Sequence, residues 1–317
     1  MHLRREIRRF FSPNNYPWGG ILMLHRIDQI DNRRLWYNEH LKISPEFLDN
    51  LLCTFHKKGF SFISLDELTD IIAKKKRVRK VLTITLDDGY KDNFKNGLHI
   101  FKAHKTPFCI YVATRLPEKT MTYWWYLIED IILNNDRIVL SNGLRFSCSS
   151  KEEKEKAFLE IREELLKLPQ SNLVDNIASL LPDYPIDFSK YNDSLPLAWE
   201  MLQQLTNEPL ATIGCHTHSH ISMSGCSRQM ILGDIQKSLK LMEEKAGIQM
   251  RHFAYPFGDE VAVKEYHRGI VQEFDFKTIA TTNDGLLFHN TDIHQLPRIF
   301  VTEKNAYDVL NRLYYAC

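Results

Sequence analysis

Short apolar runs alternate with amphipathic segments along most of this chain, and the alternation limits the folds that it can form. The first apolar run is residues 20–25, and the first amphipathic segment, 47–58, follows a serine and a proline that are typical of a helix start. Further pairs of this kind predict parallel strands joined by crossover helices. The predicted strands are 20–25, 60–65, 81–86, 107–113, 211–215, 252–258, 277–281 and 296–301.

Seven or eight such strands fit a closed or distorted (β/α) barrel better than an open dinucleotide-binding sheet. The chain contains no Gly-x-Gly-x-x-Gly sequence and no phosphate-binding loop sequence. We therefore predict one α/β domain over residues 1–317, built as a distorted (β/α) barrel.

The alternation stops between about residues 115 and 195, which we interpret as an inserted helical cap. This stretch holds a hairpin-like sequence at 141–143, a highly charged helix at 150–168 and an aromatic cluster that includes Trp124 and Trp125. Flat aromatic faces suit sugar rings, and they equally suit the core of the insert itself. Both interpretations stay open for the two tryptophans.

Two adjacent carboxylates, Asp87 and Asp88, follow the apolar run 81–86 directly. Like charges at the end of a buried strand are costly unless a cation or a catalytic task compensates for them. Asp-Asp-Gly is also a common turn sequence, so the pair alone does not decide between a turn and a metal site.

Three histidines, His216, His218 and His220, follow a second strand-like run at 211–215. Imidazole nitrogens together with carboxylate oxygens are typical ligands of zinc and related divalent metals, and three protein ligands leave a position open for water. Taken with the aspartates, they favour a catalytic metal site over a surface loop. The residues by themselves do not exclude His218 as a ligand.

Charge and cysteine content exclude some other functions. The net charge of +1 gives no support for a nucleic-acid partner. The six cysteines form no Cys-x-x-Cys pair, and no apolar span reaches membrane-crossing length. We therefore expect reduced thiols and a cytoplasmic location, with no obligatory protein partner evident.

Residues 1–11 place apolar side chains at helical spacing between four arginines. This pattern fits peripheral contact with an anionic membrane surface at the inner face. It fits packing of the apolar stripe against the domain somewhat better, because that is the usual use of such a stripe.

Both polar motifs resemble those of the polysaccharide deacetylase family, the NodB homology domain, which is a metal-dependent carbohydrate esterase fold. Residues 85–89 (Thr-Leu-Asp-Asp-Gly) are similar to the family's Thr-Phe-Asp-Asp-Gly motif, and residues 216–220 to its His-[Ser/Thr]-x-x-His motif. The resemblance implies that Asp87 is the catalytic base. It also implies that Asp88, His216 and His220 hold a divalent metal, with zinc as the expected ion.

A third stretch, residues 253–258, is similar to the family's Phe-Arg-Pro-Pro-Tyr-Gly loop. The resemblance implies that Phe257 N–H donates to the oxyanion and that Tyr255 contacts substrate. The loop arginine that holds the base in relatives is replaced here by Ala254. Our candidate for that role is Arg298 in a Leu-Pro-Arg sequence, although a surface ion pair is the plainer interpretation of such an arginine.

The general acid is a further departure from the family pattern, because no histidine follows Arg298. Residues 23–26 resemble the N-terminal Tyr-His motif of the branch that includes poly-N-acetylglucosamine deacetylases, which implies that His25 is the acid. His25 also ends a predicted barrel strand, where a titratable residue suits catalysis. A histidine satisfied within the core is the alternative.

The family resemblance implies metal-dependent N-deacetylation of an N-acetylated amino sugar in a glycan or a lipid-linked precursor. An N-deformylase acting on a lipid-linked amino sugar would use the same residues. A non-catalytic glycan-binding protein that retains the fold is a third possibility, which the intact base and ligand residues disfavour.

Overall fold

The computed structural model describes residues 16–258 and 262–317, so the membrane contact predicted for residues 1–11 lies outside the described residues. The strands, in chain order, are β1 (Gly19–Leu24), β2 (Arg26–Ile27), β3 (Lys42–Ile43), β4 (Ser61–Phe62), β5 (Val81–Leu86), β6 (Phe108–Val112), β7 (Arg137–Val139), β8 (Arg145–Ser147), β9 (Ala211–Cys215), β10 (His252–Ala254), β11 (Thr278–Ala280) and β12 (Ile299–Phe300).

The helices, in chain order, are α1 (Trp36–Glu39), α2 (Pro45–Lys57), α3 (Leu65–Ala73), α4 (Leu98–Ala103), α5 (Trp124–Leu133), α6 (Lys151–Leu166), α7 (Leu173–Leu180), α8 (Ser189–Ser194), α9 (Trp199–Leu205), α10 (Arg228–Ala246), α11 (Glu265–Val271) and α12 (Ala306–Ala316). In the part of the chain that the structure describes, no helix combines the length and apolar composition needed to cross a membrane.

One parallel sheet carries the fold, with strand order β11-β10-β9-β6-β5-β1-β12 and β4 paired to the start of β5. All six residues of β5 are buried, as are all six of β1, because helices cover the outside of the sheet. Helix α2 illustrates that layer: the Ser44 side chain accepts from Phe47 N–H at its start, and its buried face includes Leu48 and Leu52.

The two edges of the sheet meet through residues 296–300. Leu296 forms a parallel bridge with Ala280 of β11, and three residues later Ile299 pairs with Leu22 of β1. The strands therefore curl into a ring with short, irregular pairing at the closure. This confirms the predicted distorted (β/α) barrel.

The segment between β6 and β9 builds a second apolar core. Helices α5, α6 and α7 and the antiparallel hairpin β7–β8 surround it, with Ile132, Phe158 and Ile177 among its buried side chains. Leu35 and Tyr90 belong to the same core although they lie outside this segment, so the insert packs directly on the barrel. The predicted boundaries of the insertion, about 115–195, stay a prediction.

The crossover helix that follows the aspartates begins with irregular backbone. A π-helical turn, Asn93–Gly97, precedes α4. Gly97 allows this backbone to approach β2 closely, because a Cβ there would lie 2.3 Å from Ile27 Cδ1. In the same turn, the buried Asn93 amide donates to His25 O at 2.8 Å, so the turn fixes the backbone that carries His25.

Candidate active site

Strand pairing brings the two motifs to the same rim of the barrel. Strand β6 lies between β5 and β9, and pairing continues one residue beyond each strand: Asp87 N–H donates to Leu24 O at 3.0 Å, and His216 N–H donates to Val112 O at 3.1 Å. The carboxyl ends of parallel strands share one edge of a sheet, so side chains far apart in sequence converge there.

Asp88, His216 and His220 form a three-residue cluster at this rim. Asp88 Oδ1 lies 3.5 Å from His216 Nε2 and 3.1 Å from His220 Nε2, and one ligand atom from each residue lies within 4.8 Å of the others. One carboxylate and two imidazoles are a suitable donor set for a divalent transition metal, with coordination positions left for water or substrate.

A neighbouring carbonyl orients His216. Its Nδ1 lies 2.8 Å from Ala254 O, which accepts only if Nδ1 carries the proton. Nε2 is then the unprotonated nitrogen and faces Asp88. A hydrogen bond from the ring nitrogen that does not face the metal fixes the tautomer of a metal-binding histidine. The bond between His216 and Ala254 O is of this kind, as expected for a metal site.

Left-handed backbone is concentrated in these loops. Asp88, Thr217, His220 and Phe257 have φ of 76°, 66°, 52° and 61°. Such conformations cost about 1–3 kcal/mol each for ordinary residues and persist where the surroundings impose them, often at functional sites. Three of the four residues were predicted site residues from the sequence.

Arg298 and Asp87 form a bidentate ion pair beside the cluster. Nη1 donates to Oδ1 at 2.6 Å and Nη2 to Oδ2 at 2.7 Å, while Nε donates to Thr281 O at 2.8 Å. The Arg298 side chain is fully buried, so the pair is not the surface ion pair of the plainer interpretation. Arg298 therefore makes the contact with the Asp87 carboxylate that Ala254, which has no charged side chain, cannot make.

Charges in the site control the ionisation of both aspartates. Burial by itself would raise the pKa of Asp87, but the charge and hydrogen bonds of Arg298 together with the charges of His216 and His25 outweigh it and hold that pKa below its usual value. Burial acts in the same direction on Asp88, and His220 and His216 hold its pKa well below the usual range. Both carboxylates are therefore charged at neutral pH, as a base and a metal ligand require.

His218 points away from the cluster. Its Nδ1 lies 2.8 Å from Thr114 Oγ1, and it lines a different surface cavity with Arg115 and Lys237. Burial, followed by the charge of Lys237, lowers its pKa to about 4. The geometry therefore favours His216 and His220, which lie beside Asp88, over His218 as the histidines of the cluster.

His25 lies between β1 and β2 and lines the same cavity as Asp87 and Asp88. Its Nδ1 is buried without a hydrogen-bond partner in residues 16–258 and 262–317, and its ring meets Phe300 edge-on at 5.7 Å between centroids. Burial lowers the pKa of His25, partly opposed by the charges of Asp88 and Asp87. The imidazole is therefore available for proton transfer, with the neutral form favoured.

The cavity above the cluster has a volume of about 370 Å³ and a largely aromatic wall. Trp125 is half-buried with its ring 5.6 Å from His220, and Phe257 lies 4.9 Å from His220 on another side. Trp124 also lines the cavity but is buried in the core of the insert. The aromatic cluster thus serves both the core and the cavity.

Phe257 and Tyr255, both in the loop at 253–258, lie in different surroundings. Phe257 N–H has no acceptor among the described residues, so it is free to donate to a ligand. The Tyr255 side chain is fully buried and packs 5.1 Å from Phe253 in the main core. The predicted substrate contact of Tyr255 has no support in the structure, because residues two apart on an extended backbone face the same way and Phe253 faces the core.

Sequence patterns did not identify several residues of the cavity wall. They lie in the loop around α1 and on α6, outside any recognisable motif, and include Tyr37, Asn38, His40, Phe158 and Arg162. The dense aromatic and polar stretch at 36–40 was the one local signal, since such a cluster is unusual in a four-residue helix.

Comparisons with known proteins agree with this geometry. The profile of the polysaccharide deacetylase family matches residues 74–279, a range that contains both motifs of the cluster. A search of curated proteins finds no match.

Solved structures share the fold over nearly the whole chain. The Streptococcus pyogenes deacetylase PplD, solved in complex with acetate, has a TM-score of 0.62 at 15% identity and covers 94% of this chain and 99% of its own. IcaB from Ammonifex degensii has a TM-score of 0.61 at 16% identity, with 94% and 97% covered. A de-N-acetylase from Aggregatibacter actinomycetemcomitans has a TM-score of 0.58 at 13% identity, with 93% and 99% covered.

Identities this low show only a common fold, whereas the family profile rests on the sequence itself. That profile covers more than half of the chain and spans the residues that meet at the barrel rim. This protein therefore belongs to the polysaccharide deacetylase family, whose members are hydrolases that act on amide bonds.

Proposed function

We propose that this protein is a metal-dependent hydrolase that removes the acetyl group from an N-acetylated amino sugar in a glycan or glycan precursor. One observation carries the proposal: the Asp88, His216 and His220 cluster lies in one cavity with a buried aspartate that an arginine holds ionised.

Asp88, His216 and His220 are the residues that would hold the metal, and we propose zinc. When bound there, a divalent ion supplies Lewis-acid chemistry, polarising a carbonyl and lowering the pKa of a water. The tautomer of His216, fixed by Ala254 O, suits this role because its free nitrogen faces Asp88.

Asp87 is the proposed base, which takes a proton from the attacking water. Arg298 keeps Asp87 charged before the reaction and fixes the plane of the carboxylate by two hydrogen bonds. A carboxylate held in this way is oriented toward the cavity at no further entropic cost, which is how a preorganised base lowers a barrier.

Phe257 N–H is the proposed donor to the oxygen of the acetyl group as it becomes negative, since it has no acceptor among the described residues. His25 is the proposed acid for the departing nitrogen. Burial favours its neutral form in the free protein, so His25 first takes up a proton from solvent, which negative charge developing on the substrate favours, and then donates that proton to the nitrogen. The amine then leaves as a neutral group.

We further propose a cytoplasmic site of action, which favours a biosynthetic intermediate, lipid-linked or nucleotide-linked, over a secreted polymer. The half-buried Trp125 supports a sugar at the cavity, because an aromatic face beside polar groups is a common wall for pyranose rings. Membrane contact through residues 1–11 stays a prediction, which liposome flotation of the protein with and without that segment tests.

The test is product release by zinc-loaded protein from a panel of N-acetylhexosamine oligomers and sugar phosphates. We expect acetate, with formate measured in parallel to detect a deformylase. The Asp87→Asn protein is the matched control, because it keeps the metal ligands. A fully metal-loaded protein that binds glycans and releases neither acid would favour the non-catalytic alternative.

A further inference from the structure

Arg162 brings a permanent positive charge to the active-site cavity. It lies in α6, is half-buried, and lines the cavity that contains Asp87 and His220. Within residues 16–258 and 262–317 it forms neither an ion pair nor a hydrogen bond.

The other charged groups of the cavity wall are compensated. Arg298 contacts both oxygens of Asp87, and Asp88 lies within 3.5 Å of two imidazoles. Arg162 is therefore the wall residue whose permanent charge has no counter-charge in the described chain. A half-buried guanidinium without a partner loses hydrogen bonds to water, and a bound anion would supply hydrogen bonds in their place.

The guanidinium of Arg162 lies at the solvent-exposed mouth of the cavity, away from the metal cluster. Asp87, Asp88 and His216 form the floor of the cavity and are no more than 7% exposed. Arg162 lies one helical turn after Phe158, whose ring stacks on Tyr37 at 5.8 Å, and both aromatic residues line the cavity. A sugar seated on the floor would thus have neighbouring groups near an aromatic face and a guanidinium.

We propose that Arg162 is a specificity residue that binds an anionic substituent, a carboxylate or a phosphate, on or next to the N-acetylated sugar. The planar guanidinium matches both anions through paired N–H donors. This inference rests on the proposed deacetylase function and narrows its substrate class to acidic glycans or sugar phosphates.

The experiment compares matched neutral and anionic ligands by calorimetry on zinc-loaded protein. One pair is di-N-acetylchitobiose and a disaccharide of glucuronic acid and N-acetylglucosamine; the other is N-acetylglucosamine and its 1-phosphate. We expect at least one anion to bind about tenfold more tightly than its neutral partner, in line with one charge-assisted contact. The pair that shows the difference identifies carboxylate or phosphate as the recognised group.

Arg162→Gln should abolish that preference, because it should weaken binding of the anionic ligand more than binding of its neutral partner. Arg137→Gln, which alters an exposed arginine of β7 outside the cavity, should keep it. Equal binding of neutral and anionic ligands to the unaltered protein, or a preference that survives Arg162→Gln, overturns the inference. Acetate release measured on the same samples separates the two proposals: release without charge preference contradicts only the role of Arg162, and charge preference without release contradicts only the deacetylase function.

Discussion

Arg298 donates from both terminal nitrogens to the two oxygens of Asp87, across 211 positions of sequence. Removing the guanidinium by Arg298→Met leaves a buried carboxylate without its counter-charge, which typically costs about 3–5 kcal/mol of folding stability. The pKa of Asp87 should then rise because the largest of the charges that oppose the effect of burial is gone. We expect turnover to fall at least a hundredfold at neutral pH, measured by acetate release on samples that thermal unfolding shows to be folded.

Arg298→Lys is the matched variant, because it keeps the charge and loses the paired contact. It should retain more stability and more turnover than Arg298→Met. Full activity in both variants would contradict the role of Arg298 in orienting and ionising Asp87.

Metal content tests the cluster independently of activity. Asp88→Asn and His220→Gln should each lose most of the bound metal, because either change removes one of three ligands. His218→Gln, within the same motif, should keep it, since His218 contacts Thr114 instead. Elemental analysis of dialysed protein decides the matter, and loss of metal from the His218 variant alone would reverse the assignment.

Asp87→Asn separates the base from the ligands. The amide keeps nearly the same shape but cannot take a proton from water, so turnover should fall by about 10²–10⁴-fold while metal content stays the same. Acetate release and elemental analysis on one preparation measure both quantities. Retained turnover would assign the base elsewhere.

His25→Gln tests the acid. Loss of a general acid should reduce kcat by about 10²–10⁴-fold with little change in KM, because the proton is needed only as the nitrogen departs. Since substrates with good leaving groups need less protonation, an activated ester should be hydrolysed nearly normally. An equal loss with ester and amide would indicate a structural role for His25.

Buried His252 predicts an acid-sensitive fold. Burial lowers its pKa to about 4, against the opposing charge of Asp66. The unfolded chain takes up this proton near the ordinary value of about 6.5, whereas the folded chain does not until about pH 4, so the free energy of unfolding falls as pH drops between those values. The loss is at most about 3 kcal/mol.

Chemical denaturation at pH 7 and at pH 4.5 measures this change. His252→Gln should be less stable at pH 7, because the contact with Thr278 is altered, but its stability should vary less between the two values. An identical pH dependence in the variant would assign the sensitivity to other groups.

Local patterns were sufficient for much of the barrel and for placing the aspartates and histidines at one rim, whereas the choice of His216 and His220 over His218 came from the family resemblance. The predicted bounds of β5 and β9 are those observed, because each is a short, mainly apolar run that ends directly at a polar motif. The convergence of Asp88, His216 and His220 follows from parallel pairing, in which strand ends share an edge.

Features that depend on distant packing were less predictable. Tyr255 was expected at the substrate because its loop resembles that of relatives, but the extended backbone directs it with Phe253 into the core. No sequence motif predicted that Tyr37 and Arg162 form part of the cavity wall, because only the packing of α6 beside α1 brings them together. Local sequence periodicity does not indicate contacts between segments so far apart in the chain.

Closure of the barrel has a consequence for when catalysis becomes possible during synthesis. A growing chain contains Asp87 and both histidine ligands long before it contains residues 296–300, which join β11 to β1 and carry Arg298. Until that segment docks, Asp87 lacks the guanidinium that fixes the plane of its carboxylate. The last strand therefore completes two features at once, because it pairs the open edges of the sheet and orients Asp87.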